Sequence, residues 1–514
     1  MSGKGKKEMA AVEGKRARSL RVLEAFSETI RESERMLEED LKKARNVSGE
    51  RNYSEKAWVT MLAECKIIER GDAVKILQAI VEYEQSDPEE DASSYLPSDS
   101  FSVWSLEKKL TGKLGADLAG NLNIGKTLPE PIARLKIRNA CISVLDALIQ
   151  LLSSLHPLIS KYRHTVMPGY THLAQAQITT FGHYLLSFHD PLYRALAELE
   201  AAYRNTNLST LGCGALAGTS WPVDRYLVAA LLGFDGILEN TNDCVASADY
   251  SVSMMSALVN IMLPISRVTL DLQVWGSEEV AMIGVPESYS DTSSMMPQKK
   301  NFGGQLERVR LDAATIIARF QEVATLTKNE PFADMLAVVR ARFPVLDALC
   351  VVKKNLRVLN GFLTTLIPNE QRMEMFSRQG FAAAAELANI LVRRISISYR
   401  QAHHVSGTVV RMSADRNITA DQVNAKLLDE AAQRVLGKPA GLSDAEVREA
   451  LDPRHFVESH NVCGGVAPAE VQRMVRDRGA KIREATQRQR DRENKLAAAR
   501  TMLGKKIENL MNGG

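Results

Sequence analysis

Three short stretches carry residue types that could do chemistry. Residues 289–301, Tyr-Ser-Asp-Thr-Ser-Ser-Met-Met-Pro-Gln-Lys-Lys-Asn, gather hydroxyls and lysines without a helical or strand period. Serine is a poor base in water and becomes one only where backbone amides or an ammonium stabilise its alkoxide. Lys299 and Lys300 follow Ser293 by six and seven residues, close enough to share its loop, and Gly303 and Gly304 could serve as joints. Residues 165–177, TVMPGYTHLAQAQ, put Thr171 and His172 just after Pro168 and Gly169, where the chain must turn. That pair could open the next helix, whose free N–H groups attract carboxylates. Residues 208–225, LSTLGCGALAGTSWPVDR, space Gly212, Gly214 and Gly218 for close backbone approach, but contain no GxxxxGK phosphate loop. Each stretch alone has a blander reading: a soluble surface loop, a capped helix with a half-buried histidine, a glycine-rich helix crossing.

Long helices must position these stretches. Apolar residues three or four apart recur in 19–45, 137–162, 184–206 and 309–329, and strand signals are nearly absent. Helices this long and apolar suit a bundle core, and an all-α fold is expected. They are too apolar for a monomer surface, which predicts self-association through the 130–350 region. An acidic loop is expected at 84–100. After about residue 368 the helices shorten and turn signals appear. Residues 471–510 read as one long charged helix, favoured as a solvated face over a protein contact. No fixed-period repeat is present.

Composition narrows the classes. The 514 residues are 45% hydrophobic and 25% charged, with 65 basic against 62 acidic residues and a net charge of +3. No basic field argues for a nucleic-acid or anionic-membrane partner. Six scattered cysteines without a CxxC pair argue against zinc or a disulfide framework and fit a reducing compartment, hence a cytoplasmic location. Residues 1–20 form a basic, solvated tail without the apolar core of a secretory signal. The longest uncharged run, Tyr250 to Ser266, falls just short of the roughly 18 residues of a spanning helix and reads as a buried core helix.

Together the three stretches are far more specific than any one. MPGYTHLAQAQ, LGCGALAGTSWPVDR with LLGFDGILEN, SSMMPQKKN and, near the end, VESHNVCGGVAP resemble, in order, the signature regions of the fumarase/aspartase superfamily. The resemblance is strongest to its argininosuccinate lyase branch, which includes the delta-crystallins. It implies three mainly helical domains, here 21–120, 121–367 and 368–514, and a homotetramer whose active sites join segments of three subunits. The implied reaction is β-elimination from an N-substituted aspartate, argininosuccinate itself or a related small molecule, releasing fumarate and an amine or guanidine, with no metal or organic cofactor. By the same pattern Ser293 would be the base, Lys299 and Asn301 would hold the carboxylate, Thr171 would bind substrate, and His172 would move a proton. Lys126 and Asn329 would be further substrate contacts.

The departures concern recognition. The branch's HTGRSRND motif aligns with Asn123–Glu130, NIGKTLPE, where Gly125 and a charge at Lys126 survive but Leu128 and Pro129 replace the arginine and asparagine that contact substrate. A Tyr-Asn-(x)3-Gln-(x)2-Lys segment aligns with Lys328, Asn329, Ala333 and Leu336, and keeps only the asparagine. Phe302 and Gly303 stand in place of Pro and Asp. Two alternatives stay open: a superfamily cousin with another reaction, such as a carboxymuconate cycloisomerase, or a non-catalytic tetramer like the inactive delta-crystallins.

Overall fold

The structure, a computed structural model, describes residues 32–512 apart from 45, 47, 87–101, 127–129, 285–288, 290, 293–294, 297–299 and 302–303. Five long helices form the centre: Glu130–Lys161, Phe181–Thr206, Asp249–Trp275, Gly304–Thr327 and Arg342–Thr365. Their apolar spacing is that of a helix covered on most sides. Leu145, Leu148, Leu152, Leu155 and Ile159 of the first, and Met254, Leu258, Ile261 and Ile265 of the third, are fully buried in one core. The run Tyr250–Ser266 contributes one face to this core, with Ser256 and Leu263 exposed on the other. Among the described residues two helices, Pro131–Lys161 and Asp249–Trp275, are long and apolar enough to cross a membrane, but half of each apolar window is buried inside the bundle. Of the 19–45 pattern, 32–44 is described and helical; the acidic 84–100 loop lies almost wholly outside the described residues.

Neighbouring helices run antiparallel. Tyr162 packs edge-on against Phe181, 5.4 Å between centroids, while Arg134 near the other end donates to the Asn205 carbonyl at 2.9 Å. Likewise Tyr184 donates to Asp271 at 2.7 Å and Asn205 to Asp249 at 2.7 Å. The bundle therefore has two ends. One holds the turn between Lys161 and Phe181. The other holds the approach to Glu130 and the segment after Thr206.

Residues 381–466 close around a separate core that includes Leu387, Leu391, Val405, Leu428 and Phe456. The last helix, Pro468–Asn512, then runs 45 residues, about 68 Å. It is both charged outside and packed inside. Val471, Met474, Ile482 and Ala485 join the bundle core, and Leu503 joins the N-terminal cluster built on Trp58, Leu62 and Ile76.

Candidate functional site

The 165–177 stretch departs from its expected form. Thr171 and His172 do not open a helix. They form the tip of an antiparallel hairpin, Val166–Thr171 with Ala174–Thr180, and the next helix waits until Phe181. Pairing runs Val166 with Thr180 and Thr171 with Ala174, with an irregularity between Pro168 and Tyr170. Proline cannot donate to a ladder, so a register break beside it is expected. Gly169 is required there, because a Cβ would stand 2.7 Å from the Gln177 carbonyl oxygen. At the tip both His172 and Leu173 have positive φ, 53° and 62°. Two such residues make the tight turn that matches strand twist, a conformation glycine or asparagine normally supplies. Leu173 is 82% exposed, and Thr171 and His172 are exposed with it.

The base of the hairpin is anchored. Thr165 donates to Glu370 at 2.6 Å, the Thr180 side chain caps the following helix at His183 N, and the His183 ring bridges Thr179 and the Gly464 carbonyl, each at 3.1 Å. Gly464 belongs to the VESHNVCGGVAP segment, so two of the signature stretches meet here.

Ser293 and Lys299 lie outside the described residues. What frames them is described: Asp291 pairs with Asn301, and Thr292 with Lys300, in a short antiparallel ladder that closes the intervening loop at its base. Asn301 is thereby placed by its backbone. Met295 within the loop is 87% exposed. Gly304 is the first residue of the following helix. The ladder sits at the hairpin end of the bundle, since Ile283 and Gly284 just before it pair with Pro368 and Ile367, next to the Glu370–Gln379 helix.

The remaining candidates occupy the opposite end. The Lys126 side chain is buried, 3% exposed, and donates to Glu55 at 2.5 Å. The second Glu55 oxygen has no hydrogen-bond partner among the described residues. Trp58 Nε1 donates to the Ile124 carbonyl at 3.1 Å, and Gly125, with φ 71°, admits Thr219, whose Oγ1 would be 3.2 Å from a Cβ. So the NIGK stretch is clamped between the Ser48–Glu64 helix and the glycine-rich segment. Leu128 and Pro129 lie outside the described residues. Lys328 and Asn329 are exposed just after the Gly304–Thr327 helix. Asn242 donates to the Phe332 carbonyl at 3.4 Å, which ties that segment to the Thr241–Ala246 helix.

Two participants escaped the sequence reading. Glu55 stands 71 residues from its partner; the available signal was the polar face of Arg51, Asn52 and Glu55, all buried on one helix. Arg225 was quoted only as part of a motif. Its guanidinium reaches the carbonyls of Leu211, Glu239 and Leu238, at 3.3, 3.2 and 2.7 Å, and so knits the glycine-rich segment to the Gly236–Ile237 strand and the turn beyond it.

Chemically the two ends offer different things. The hairpin end presents an imidazole and a hydroxyl outward beside a loop rich in serine and lysine. The other end offers a braced wall and the exposed apolar side chains of Leu216, Trp221, Phe332 and Leu336, 48–71% exposed.

Known proteins resemble this chain along most of its length. Residues 17–317 match a family model described as Lyase, and residues 381–458 one described as Argininosuccinate lyase C-terminal. An argininosuccinate lyase from Methanococcoides burtonii is 31% identical over 84% of this chain and 87% of its own. Another, from Methanothrix thermoacetophila, is 30% identical over 89% and 91%. Among solved structures, EDDS lyase in complex with formate aligns with TM-score 0.84 at 28% identity, covering 92% of this chain and 93% of that one. An EDDS lyase variant with bound fumarate gives 0.85 at 27%.

Proposed function

The chain belongs to the argininosuccinate lyase branch of the fumarase/aspartase superfamily, a carbon–nitrogen lyase that eliminates fumarate from an N-substituted aspartate, and from that premise we propose how its segments share the reaction. Ser293 takes a proton from the carbon next to the substrate carboxylate. The electron pair is held as a dianionic aci-carboxylate by Lys299 and Asn301; donors placed this way are worth about 3–4 kcal/mol each. The C–N bond then breaks, the double bond of fumarate forms, and the leaving nitrogen is protonated with help from His172, while Thr171 binds the substrate. Lys126 and Asn329 belong to recognition, Lys126 through the wall it forms with Glu55.

One observation carries the assembly. Thr171 and His172 lie at the Lys161 end of the Glu130–Lys161 helix, and Lys126 precedes its start. That helix has 32 residues, roughly 48 Å, far longer than any small substrate. A single chain cannot bring both groups to one reaction centre. Copies packed side by side and head to tail can, which supports a homotetramer with shared sites. Exposed Leu263, Leu270, Val274, Leu311 and Ile317 on two adjacent bundle helices supply an apolar contact face. Light scattering that finds a stable monomer with full turnover would overturn this reading.

The preferred substrate carries a smaller or less charged amine portion than argininosuccinate. The motif positions that grip a guanidinium and a second carboxylate are Leu128, Pro129, Ala333 and Leu336 here, and the exposed side chains of Leu216, Trp221 and Phe332 at the same end are apolar. Proline and these aliphatic side chains have no donor to replace the lost contacts. Steady-state fumarate absorbance across N-substituted aspartates tests this. A kcat/KM for argininosuccinate of about 10⁴ M⁻¹s⁻¹ or more, the ordinary enzymatic range, would refute it.

A further inference from the structure

Beneath the glycine-rich segment lies a pair of thiols that the reaction does not use. Cys213 is 3% exposed and Cys244 fully buried, and with Val245 they form a small cluster of their own. The Cys213 sulfur also faces the Gly214 carbonyl at 3.4 Å. Arg225 Nη2 donates to the Cys244 sulfur at 3.2 Å, and the Cys244 thiol can in turn donate to the Leu238 carbonyl at 3.1 Å. This is an electropositive thiol with a second thiol beside it, the arrangement that makes a cysteine reactive and its oxidation reversible. The Cys213 thiol, and then Arg225 and the more distant Arg134, hold the Cys244 thiol down at about 7, against burial, which acts upward.

We propose that Cys213 and Cys244 are a peroxide-oxidisable dithiol that closes to a disulfide and slows the lyase reaction. The Cys244 thiolate attacks the O–O bond of a hydroperoxide, giving a sulfenic acid and releasing water or an alcohol. The Cys213 thiol then attacks that sulfur, forming the S–S bond and releasing a second water. Two thiols are oxidised by two electrons and the hydroperoxide is reduced by two. Entry is through the exposed Ala215–Ala217 turn above the pair, closed by one Gly218 N to Cys213 O hydrogen bond of 2.8 Å. Oxidation takes the thiolate from Arg225 and draws the Thr241–Ala246 helix toward the glycine-rich segment. Asn242 on that helix holds the Phe332 carbonyl, so the shift reaches the 328–336 recognition segment.

The activity arm rests on the lyase reading; the chemical arm needs no substrate. The reduced full-length protein is treated with hydrogen peroxide, denatured, alkylated and digested for mass spectrometry, with fumarate release followed in parallel. The expected result is a cross-linked Cys213–Cys244 peptide lacking two hydrogens, with a several-fold loss of turnover, both reversed by dithiothreitol. Cys244→Ala and Cys213→Ser keep basal turnover and resist peroxide. Recovery of both cysteines as alkylated thiols while Cys65 or Cys463 oxidises would overturn the proposal. So would a cross-link that leaves turnover unchanged, or Cys244→Ala losing activity to peroxide as fast as the native chain.

Discussion

At one end of the bundle Thr171 and His172 are exposed on a turn whose two central residues both have positive φ. At the other, the Lys126 side chain is 3% exposed, paired with Glu55 and overlaid by a segment that Arg225 holds by three carbonyls. The first end presents groups outward and makes little use of them in its own packing. The second turns its charge inward and builds a wall. Groups that take part in bond breaking can be presented to another copy on a projecting hairpin, provided its base is rigid. Groups that shape a pocket must be braced from behind. The difference suits a division of labour: a wall can be rebuilt for another amine without touching the hairpin.

Mutation should separate the two ends sharply. Ser293→Ala is expected to lower turnover by about 10³-fold or more, and His172→Asn by about 10²-fold, within the range for positioned acid–base groups. Both should leave the circular-dichroism melting curve unchanged, because His172 is exposed and Ser293→Ala removes a single hydroxyl. Near-native turnover of Ser293→Ala on a working substrate would remove the assigned base. At the other end Lys126→Ala should destabilise the fold by about 3–5 kcal/mol, the usual result of stranding one member of a buried ion pair, read as a lower urea midpoint. Replacing both partners, Lys126→Met with Glu55→Gln, should recover most of that loss. A Lys126→Ala chain of native stability would mean the braced wall is illusory.

A pH titration sharpens the contrast. Behind the hairpin end, His156 Nε2 lies 3.1 Å from His189 Nε2, His189 faces Asp190, and Arg478 clamps Asp190 with two hydrogen bonds of 2.9 and 2.7 Å. Burial, then His189 and Arg483, lower the His156 pKa from 6.5 to about 4. The unfolded chain therefore binds a proton that the folded chain refuses between those values. Stability should fall as pH drops from about 6.5 toward about 4 and stay level above. Arg478 and His189 keep the Asp190 carboxyl well below its usual range against its partial burial, so its own contribution is lost only at lower pH. His156→Gln should flatten the slope in a urea-midpoint series; an unchanged slope would assign it elsewhere. The smallest expected effect is at the hairpin tip. Leu173→Asn should raise stability by less than about 1 kcal/mol, since asparagine tolerates positive φ better. A clear loss would mean Leu173 makes a contact in the assembly.

The bundle was legible because three- and four-residue apolar spacing is a local signal. The stretches 137–162 and 184–206 fall within or one residue beyond single helices, and 309–329 ends two residues past one. The hairpin was not legible. Its strands, Val-Met-Pro-Gly-Tyr-Thr and Ala-Gln-Ala-Gln-Ile-Thr-Thr, contain a proline, a glycine and polar residues that disfavour a strand on their own. Pairing and anchorage through Glu370 and Gly464 decide the matter. Contacts between distant positions, Glu55 with Lys126 or Cys213 with Cys244, leave no periodicity to read. The 289–301 loop was singled out by motif resemblance, since a stretch without helical or strand period carries no local signal of the ladder that joins Asp291 to Asn301 and Thr292 to Lys300.

The final helix has a consequence for the order in which the molecule is made. Arg70 donates to the Leu510 carbonyl across 440 positions of sequence, and Leu503 completes a core started by Trp58 and Leu62. An emerging chain therefore carries an unfinished N-terminal cluster while some four hundred further residues are synthesised. Its apolar surface is open to chaperones and to other nascent copies for that whole interval. Such a layout makes the N-terminal region one of the last parts to close, although it is among the first to be translated.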